Sequence, residues 1–458
     1  MKKPGLAKGT RDLGPEETTR RKYLLGTLER VFMNHGFEGI ETPALENIET
    51  LTGKYGEEGD QLLFRILDSG DYLLNLRKSE LGEQKISDID SGWLQGHISS
   101  RGLRYDLTVP FARFVSMNRH RISMPFRRYQ MQPVWRADRP QKGRYREFWQ
   151  CDADIIGNRS LSNEADLISV FHDAFAALGI SPYQIHLNHR KLLEAVATHI
   201  GIADRFTSFT VALDKYDKIG ESGVESELSK LGVDSDSFAK LKPFLRCAPL
   251  NAESLSSYAL LLGDQPSGVQ ALSELQALVT YLESTNSAGS VLLDGTLARG
   301  LSYYTGCIFE VKIAGSGMGS IAAGGRYDDL TGIFGVRDMS GVGISFGADR
   351  IYDYMEQQNL FPGSLTHCRV VVCSMSEAAL IRGRQYASIL RSRGVSTLTY
   401  PSPGKIGKQL DYVRQRGIPY ALILGEDEVA NNTATLKNME TGAQQNLSIE
   451  HILEQLKP

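Results

Sequence analysis

In the stretch VWRADRPQKGRYREFWQCDADIIG, residues 134–157, a cation-rich turn runs straight into a strictly alternating segment. Phe148, Gln150, Asp152 and Asp154 share one parity, and Trp149, Cys151, Ala153 and Ile155 the other. A period of two belongs to a strand, because successive side chains leave opposite faces of a sheet. One face is apolar and suits a core; the other carries amide and acid groups and suits solvent or a cleft. Before it stand Arg136, Arg139, Lys142, Arg144 and Arg146, against only Asp138 and Glu147. With strands on both sides, RADRPQKGR reads as the extended loop of a hairpin. On its own such a loop is more often a solvated surface turn; the alternation that follows it points the other way.

Two further stretches repeat the device. In GLRYDLTVP, Arg104, Asp106 and Thr108 alternate with Leu103, Tyr105 and Leu107, which reads as a strand. In GVGISFGADR, Val342, Ile344 and Phe346 oppose Gly341, Gly343, Ser345 and Gly347, a face nearly bare of side chains. Glycine weakens a strand, so a row of it at one parity needs a reason; a flat ring lying on the sheet would be one. Arg350 follows where a helix would begin. In AAGGRYDDL, Gly324 and Gly325 permit close backbone approach. Singly, each pattern is more often packing than function. Together they suggest a nucleotide cleft on an antiparallel sheet.

The chain has 458 residues, enough for two or three domains. Apolar periodicity predicts a helix over 16–34, with Leu24, Leu28, Val31 and Phe32 on its stripe. GFEGIETP reads as a strand ending at Pro43, residues 78–100 as a polar surface excursion, and 163–178 as another helix. Residues 190–285 read as a helical insertion between two parts of a core, 1–189 and 286–361. After the PGSLT linker, 366–458 alternates strand and helix as a compact α/β module with a mostly parallel sheet. That module holds 11 Lys/Arg against 8 Asp/Glu, while the rest holds 40 against 46. A mildly basic module on an acidic chain is compatible with RNA. No apolar stretch approaches the ~20 residues of a membrane helix, and the N-terminus lacks the apolar run of a secretory signal. The five cysteines, Cys151, Cys247, Cys307, Cys368 and Cys373, are scattered without a CxxC pair. Free thiols in a reducing cytoplasm are expected, without disulfides or a zinc site.

These segments also resemble known motifs. KGTRDL (8–13), the helix and strand ending at Pro43, residues 134–157, GVGISFGADR, LARGLSYYTG and AAGGRYDDL resemble, in turn, the N-terminal signature, motifs 1, 2 and 3 and the two specific peptides of the class II histidyl-tRNA synthetase family. LRYDLTVPFAR is similar to that family's eukaryotic-type branch. Ser302 departs from it, since many relatives carry Asp there. The resemblance implies an α+β fold: an antiparallel sheet flanked by helices, a helical insertion and a C-terminal anticodon-binding domain. It implies activation of L-histidine by ATP with Mg²⁺, then transfer to the 3′ end of tRNA(His), by a homodimer joined through motif 1. Such chemistry needs cations around the phosphate rather than a protein nucleophile. The resemblance carries Arg136 and Arg299 to the α-phosphate, and Arg350 with Gly347 to the rest of ATP. Asp106, Thr108 and Gln150 are carried to histidine's α-amino side, and Asp154, Tyr303 and Tyr304 to its imidazole. Strand alternation cannot turn both tyrosines inward, so a bend or a single direct contact is expected. Arg139, Gln141, Arg144 and Arg146 are carried to tRNA. Two rivals are a catalytically inactive synthetase-like binder and a synthetase for proline, threonine or glycine. The retained arginines and C-terminal module oppose the first; LARGLSYYTG opposes the second.

Overall fold

The structure is a computed structural model. It describes residues 3–53, 56–72, 90–141, 143–285, 290–298, 303–328, 330–363, 365 and 368–456. Chain contacts divide it into two compact units: Met1–Arg11 with Leu24–Leu360, and Asp12–Tyr23 with Phe361–Pro458.

The first unit's strands begin with β1 (Glu38–Gly39), β2 (Leu45–Asn47), β3 (Arg65–Ile66), β4 (Arg101–Leu103), β5 (Phe126–Trp135) and β6 (Glu147–Ile156). They continue with β7 (Gln184–His189), β8 (Cys247–Pro249), β9 (Val291–Asp294), β10 (Cys307–Lys312), β11 (Ala322–Tyr327) and β12 (Gly341–Gly347). Nine of these form one sheet in the order β1-β5-β6-β12-β11-β10-β7-β9-β8. Its pairings are antiparallel except β1 with β5 and β7 with β9. β2, β4 and β3 make a separate small sheet.

The alternation of the opening stretch is visible in this register. Cys151, Ala153 and Ile155 of β6 lie opposite Phe346, Ile344 and Val342 of β12, and all six are buried. Phe346 is the centre of this face. Its ring lies 5.3 Å and 5.6 Å from Phe171 and Phe175, which project from the helix Ser162–Ala177, and 5.8 Å from Phe32. Each such ring contributes about 1.5–3 kcal/mol through burial, so the helix is clamped on the sheet by hydrophobic contact. The opposite face, bearing Gln150, Asp152, Ser345 and Ala323, is left for chemistry.

In this first unit three expectations are corrected. GFEGIETP supplies only the two-residue β1. Arg104, Asp106 and Thr108 do not share a strand face: β4 stops at Leu103, and a helix, Thr108–Asn118, begins at Thr108. The Asp106 carboxylate accepts the Val109 N–H at 3.1 Å, and Pro110 is tolerated in the first turn, so local capping overrides the alternating pattern. Arg104 instead turns inward, donating to the carbonyls of Thr42 and Pro133 at 2.6 Å and 2.9 Å. Third, the stretch after residue 190 holds helices from Arg190–His199 to Pro266–Ser284, but it also supplies β8, an edge strand of the large sheet. Of the polar excursion, residues 78–89 lie outside the described residues; its end is a helix, Ser91–Ile98, capped by Asp90.

The second unit carries β13 (Val370–Ser374), β14 (Thr397–Thr399), β15 (Tyr420–Leu424), β16 (Ala434–Asn438) and β17 (Gln444–Leu447) in the order β14-β13-β15-β16-β17. The first three are parallel, but β15, β16 and β17 pair antiparallel, so the sheet is mixed rather than mostly parallel. The β16–β17 turn uses Gly442 at φ +77°, a conformation only glycine adopts cheaply. Val372, Leu422 and Leu436 pack against Tyr386 and Leu390 of the helix Glu377–Ser392 to form this unit's core.

Candidate active site

The free face of the large sheet forms the floor of an open cleft of about 600 Å³, within the range of small-molecule sites. Asp106, Thr108, Arg136, Arg144, Gly347, Gln150, Tyr303, Tyr304 and Arg350 all line it. They come from four stretches of sequence: 106–108 at the start of the helix Thr108–Asn118, 136–150 on the β5–β6 hairpin, 303–304 before β10, and 347–350 at the end of β12.

The hairpin sets the cationic wall. β5 and β6 pair continuously from Phe126↔Ile156 to Trp135↔Glu147, and the loop closes with the Arg136 N–H donating to the Arg146 carbonyl at 2.9 Å. A second rung, Gln141↔Arg144, tightens the tip around Gly143 at φ +72°. The Arg136 guanidinium lies 4.2 Å from the Tyr105 ring centroid and 5.2 Å from that of Phe148. Its Nε donates to the Tyr105 carbonyl at 3.1 Å. Stacking of this kind holds a planar cation without neutralising it. Arg350, in the first turn of the helix Ala348–Gln357, donates to the carbonyls of Ser320 (2.7 Å) and Gly143 (3.2 Å), which ties that helix to the hairpin tip. Arg11 reinforces this junction: it pairs with Asp349, and its guanidinium lies 4.0 Å from the Tyr145 ring centroid.

The polar wall is smaller. Gln150 Nε2 donates to Ser345 Oγ at 3.0 Å, and its carbonyl oxygen is buried without a partner among the described residues. Tyr303 and Tyr304 both line the cleft because they precede β10 in irregular backbone; the expected bend is there. Their rings meet edge to face at 5.0 Å, and the Tyr303 hydroxyl lies 3.5 Å from Asp106 Oδ2. Gly325 makes room: a Cβ there would lie 2.8 Å from the Tyr304 ring. Burial, and after it the charges of Asp154, Asp152 and Asp106, push the Tyr304 hydroxyl above its ordinary range, so it remains a protonated donor.

Asp154 is placed differently from the other expected residues. It lies beneath the cleft lining, 3% exposed, with Oδ1 accepting from the Tyr327 hydroxyl at 2.6 Å and Oδ2 lying 2.9 Å from Arg128 Nη2. The bare face of β12 has the same explanation. A Cβ on Gly343 would lie 2.0 Å from Asp154 Oδ1, and one on Gly341 would lie 2.3 Å from the Tyr327 ring. Those glycines are filled by neighbouring side chains, and only Ser345 and Gly347 of the row open into the cleft.

Of the loop residues assigned to tRNA, Arg139 and Gln141 are exposed. Arg144 is half exposed and bonded to Asp138 at 2.8 Å. Arg146 is half-buried: its side chain lies against Gly9, its Nε donates to the Asp138 carbonyl at 3.1 Å, and its backbone N–H donates to the Gly9 carbonyl. Arg299 and Ser302 lie outside the described residues.

The chain itself matches known proteins along nearly its whole length. A model of the family described as histidyl-tRNA synthetase matches residues 9–81 and 97–351, and an anticodon-binding domain model matches 367–458. The chain belongs to the histidyl-tRNA synthetase family.

A histidine–tRNA ligase of Cytophaga hutchinsonii is 46% identical over 458 residues, covering 100% of both chains. One of Porphyromonas gingivalis is 48% identical over 448 residues, 98% of this chain and 97% of that one. The crystal structure of histidyl-tRNA synthetase from Nostoc superposes with a TM-score of 0.83 at 28% identity, over 99% of this chain and 98% of that one. As a member of the family the chain is an aminoacyl-tRNA ligase: it joins histidine to tRNA through histidyl-adenylate. Class II synthetases in general use ATP with Mg²⁺. The 82–96 gap in the family match falls within the polar excursion noted at Lys78–Ser100.

The cleft also holds residues that sequence reasoning missed: Asp138, Asp214, Lys218 and Glu310. Glu310 had a signal, being the one acid in the otherwise apolar run Cys307–Val311. Lys218 had none, because it stands on a helix of a segment that displays no catalytic pattern.

Proposed function

We propose that this cleft is where histidine is activated and transferred, with Arg136 on the α-phosphate and Arg350 and Gly347 on the adenine and outer phosphates of ATP. What supports this is the convergence of two arginines and the Gln150–Tyr303–Tyr304 wall on one cleft. A bound carboxylate would lie beside Arg136, where a fixed guanidinium offsets charge building on phosphorus. The buried carbonyl oxygen of Gln150, with Asp106 and Thr108, accepts the α-ammonium group. Tyr303 and Tyr304 address the imidazole, which offers one donor and one acceptor. A site bonded to both rejects analogues lacking them by roughly 10⁴-fold. Asp154 acts from behind, through Tyr327 and the neighbouring Tyr304. Arg299 serves as a second cation at the α-phosphate.

Glu310 and Asp138 both line the cleft, and their carboxylates are the ligand type that Mg²⁺ takes. That ion, bound with ATP, would neutralise the outer phosphates. Residues 1–189 and 286–361 form the catalytic core, 190–285 an insertion, and 366–458 the anticodon reader for tRNA(His). The enzyme works as a homodimer in the cytoplasm. Exposed Met33, Leu45 and Met117 supply apolar surface for pairing, the cysteines are free, and no described helix is long and apolar enough to cross a membrane.

Histidine-dependent ATP–pyrophosphate exchange tests the reading. Arg136→Ala should lose exchange by about 10²–10³-fold while keeping the wild-type unfolding midpoint. Near-normal exchange in that variant removes Arg136 from the phosphate role.

A further inference from the structure

Three side chains that activation leaves unused meet at the far edge of the large sheet. β9 lies between β7 and β8, with His186 paired to Leu292 and Cys247 paired to Asp294. Leu292 and Asp294 have the same parity, so His186, Cys247 and Asp294 leave one face of three adjacent strands. His186 Nδ1 lies 2.7 Å from Asp294 Oδ2 and 3.7 Å from Cys247 Sγ. The three donor atoms all lie within 4.8 Å of one another.

This is not a nucleophile–base–acid relay. A relay needs the thiol and the carboxylate on opposite nitrogens of the ring. Here both address Nδ1, while Nε2 is buried without a partner among the described residues. Thiol, imidazole and carboxylate converging on one point is the arrangement of metal ligands.

We propose that His186, Cys247 and Asp294 form a binding site for a divalent cation of the zinc type. Their sulfur, nitrogen and oxygen donors are the set that zinc takes, at bond lengths of about 2.0–2.3 Å. A tetrahedral centre with those bonds spaces its ligand atoms roughly 3.3–3.6 Å apart. The sulfur–nitrogen distance is already close to this, and the nitrogen–oxygen pair needs to open by about half an ångström. Donors on paired strands are held more precisely than donors on loops. Cys247 is exposed, which gives the ion a way in, and three protein ligands leave a fourth position for water. Coordination releases the thiol proton to solvent, and two anionic ligands then balance the dication. The site would also brace the chain leading to LARGLSYYTG. Asp294 Oδ1 accepts the N–H and hydroxyl of Thr296 at 2.9 Å and 2.7 Å, and the Leu297 carbonyl accepts from Asn188 at 2.9 Å.

The test is a Co²⁺ titration of the metal-stripped full chain, read by absorption. The expected result is a single equivalent with a thiolate-to-cobalt charge-transfer band, reversed by Zn²⁺. Cys151, Cys307, Cys368 and Cys373 are buried, so the band reports Cys247. Cys247→Ser, at an exposed position, should abolish the band and weaken Co²⁺ binding at least tenfold; His186→Gln should weaken it similarly. Zn²⁺ should raise the Tm of the parent chain and leave that of Cys247→Ser unmoved. Absence of the band, or equal affinity in Cys247→Ser, overturns the proposal.

Discussion

Asp154 Oδ2 lies 2.9 Å from Arg128 Nη2, and both side chains are sealed from solvent. Arg128 is the only cation bonded to the carboxylates of Asp152 and Asp154 among the described residues, the former at 4.0 Å. None of its guanidinium nitrogens makes an aligned hydrogen bond; the charge is held by these ion pairs and by the Phe111 ring, 4.3 Å away. A buried pair of this kind is costly to break from one side, at about 3–5 kcal/mol, because the survivor remains charged in a poor solvent. Arg128→Met and Asp154→Leu should each destabilise the first unit on that scale in urea unfolding. The double variant should cost less than the two single costs combined. Strict additivity would show that the two residues are not coupled.

Asp152 gives a pH dependence. Burial, opposed by Arg128 and aided by Asp154, opposed again by the Ser345 hydroxyl and aided last by Asp106, pushes its carboxyl from 3.8 up to about 7. An acid whose folded pKa lies above its unfolded value binds its proton more tightly when folded. Its contribution to stability is therefore complete below the unfolded value and is lost as pH rises through about 7. One such group gives a slope of at most about 1.4 kcal/mol per pH unit between those limits. Relative to the parent, Asp152→Asn should gain stability as pH climbs from 4.5 to 8, measured as the difference in urea midpoints. A difference that stays flat with pH would assign Asp152 an ordinary pKa.

The glycines of β12 allow a paired comparison. Gly343→Ala drives a methyl to 2.0 Å from Asp154 Oδ1, the oxygen that Tyr327 holds, on a carboxylate whose other oxygen faces Arg128. Overpacking of this sort costs about 1–3 kcal/mol, and here it also displaces Asp154 from behind Tyr304. Exchange by Gly343→Ala should show a raised KM for histidine with the KM for ATP nearly unchanged. Gly96, inside the helix Ser91–Ile98 with nothing within 4 Å of its added Cβ, should instead gain up to about 1 kcal/mol as alanine. A similar effect at both positions would mean that the clash at Gly343 relaxes freely.

Where local periodicity and tertiary packing agree, the structure was legible from the residues. The helix Pro15–Asn34, the β5–β6 hairpin and the apolar parity of β12 are of this kind. Residues 103–108 alternate as a strand would, yet the Asp106 cap turns them into a helix start, because one local side-chain bond outweighs a six-residue pattern. Gly341 and Gly343 raised the right question and received the wrong occupant: the filler is Tyr327 and Asp154, contacts set by pairing across three strands. Scattered cysteines hid the His186–Cys247–Asp294 cluster for the same reason, since β8 and β9 meet only through the sheet. The bend at Tyr303 and Tyr304 was foreseeable because alternation alone could not turn both inward.

The hairpin tip separates two roles that the residues alone could not divide. Arg139 and Gln141 are exposed at the tip, whereas Arg146 is bonded to Gly9 and to the Asp138 carbonyl, and a Cβ on Gly9 would lie 2.8 Å from the Arg146 side chain. Arg139→Ala with Gln141→Ala should therefore keep ATP–pyrophosphate exchange within about twofold and reduce transfer to tRNA by about tenfold, since each lost phosphate contact weakens binding without touching the adenylate. The slope of log affinity against log salt should flatten by about one unit for the single lost cation. Arg146→Ala should behave otherwise: it removes packing and the part-buried hydrogen bond to the Asp138 carbonyl, so the unfolding midpoint falls and exchange and transfer decline together. Filter binding of tRNA at several salt concentrations, beside exchange and thermal unfolding of the same preparations, separates these outcomes. If Arg139→Ala with Gln141→Ala loses exchange as severely as Arg136→Ala, the tip belongs to the ATP site and not to the tRNA path.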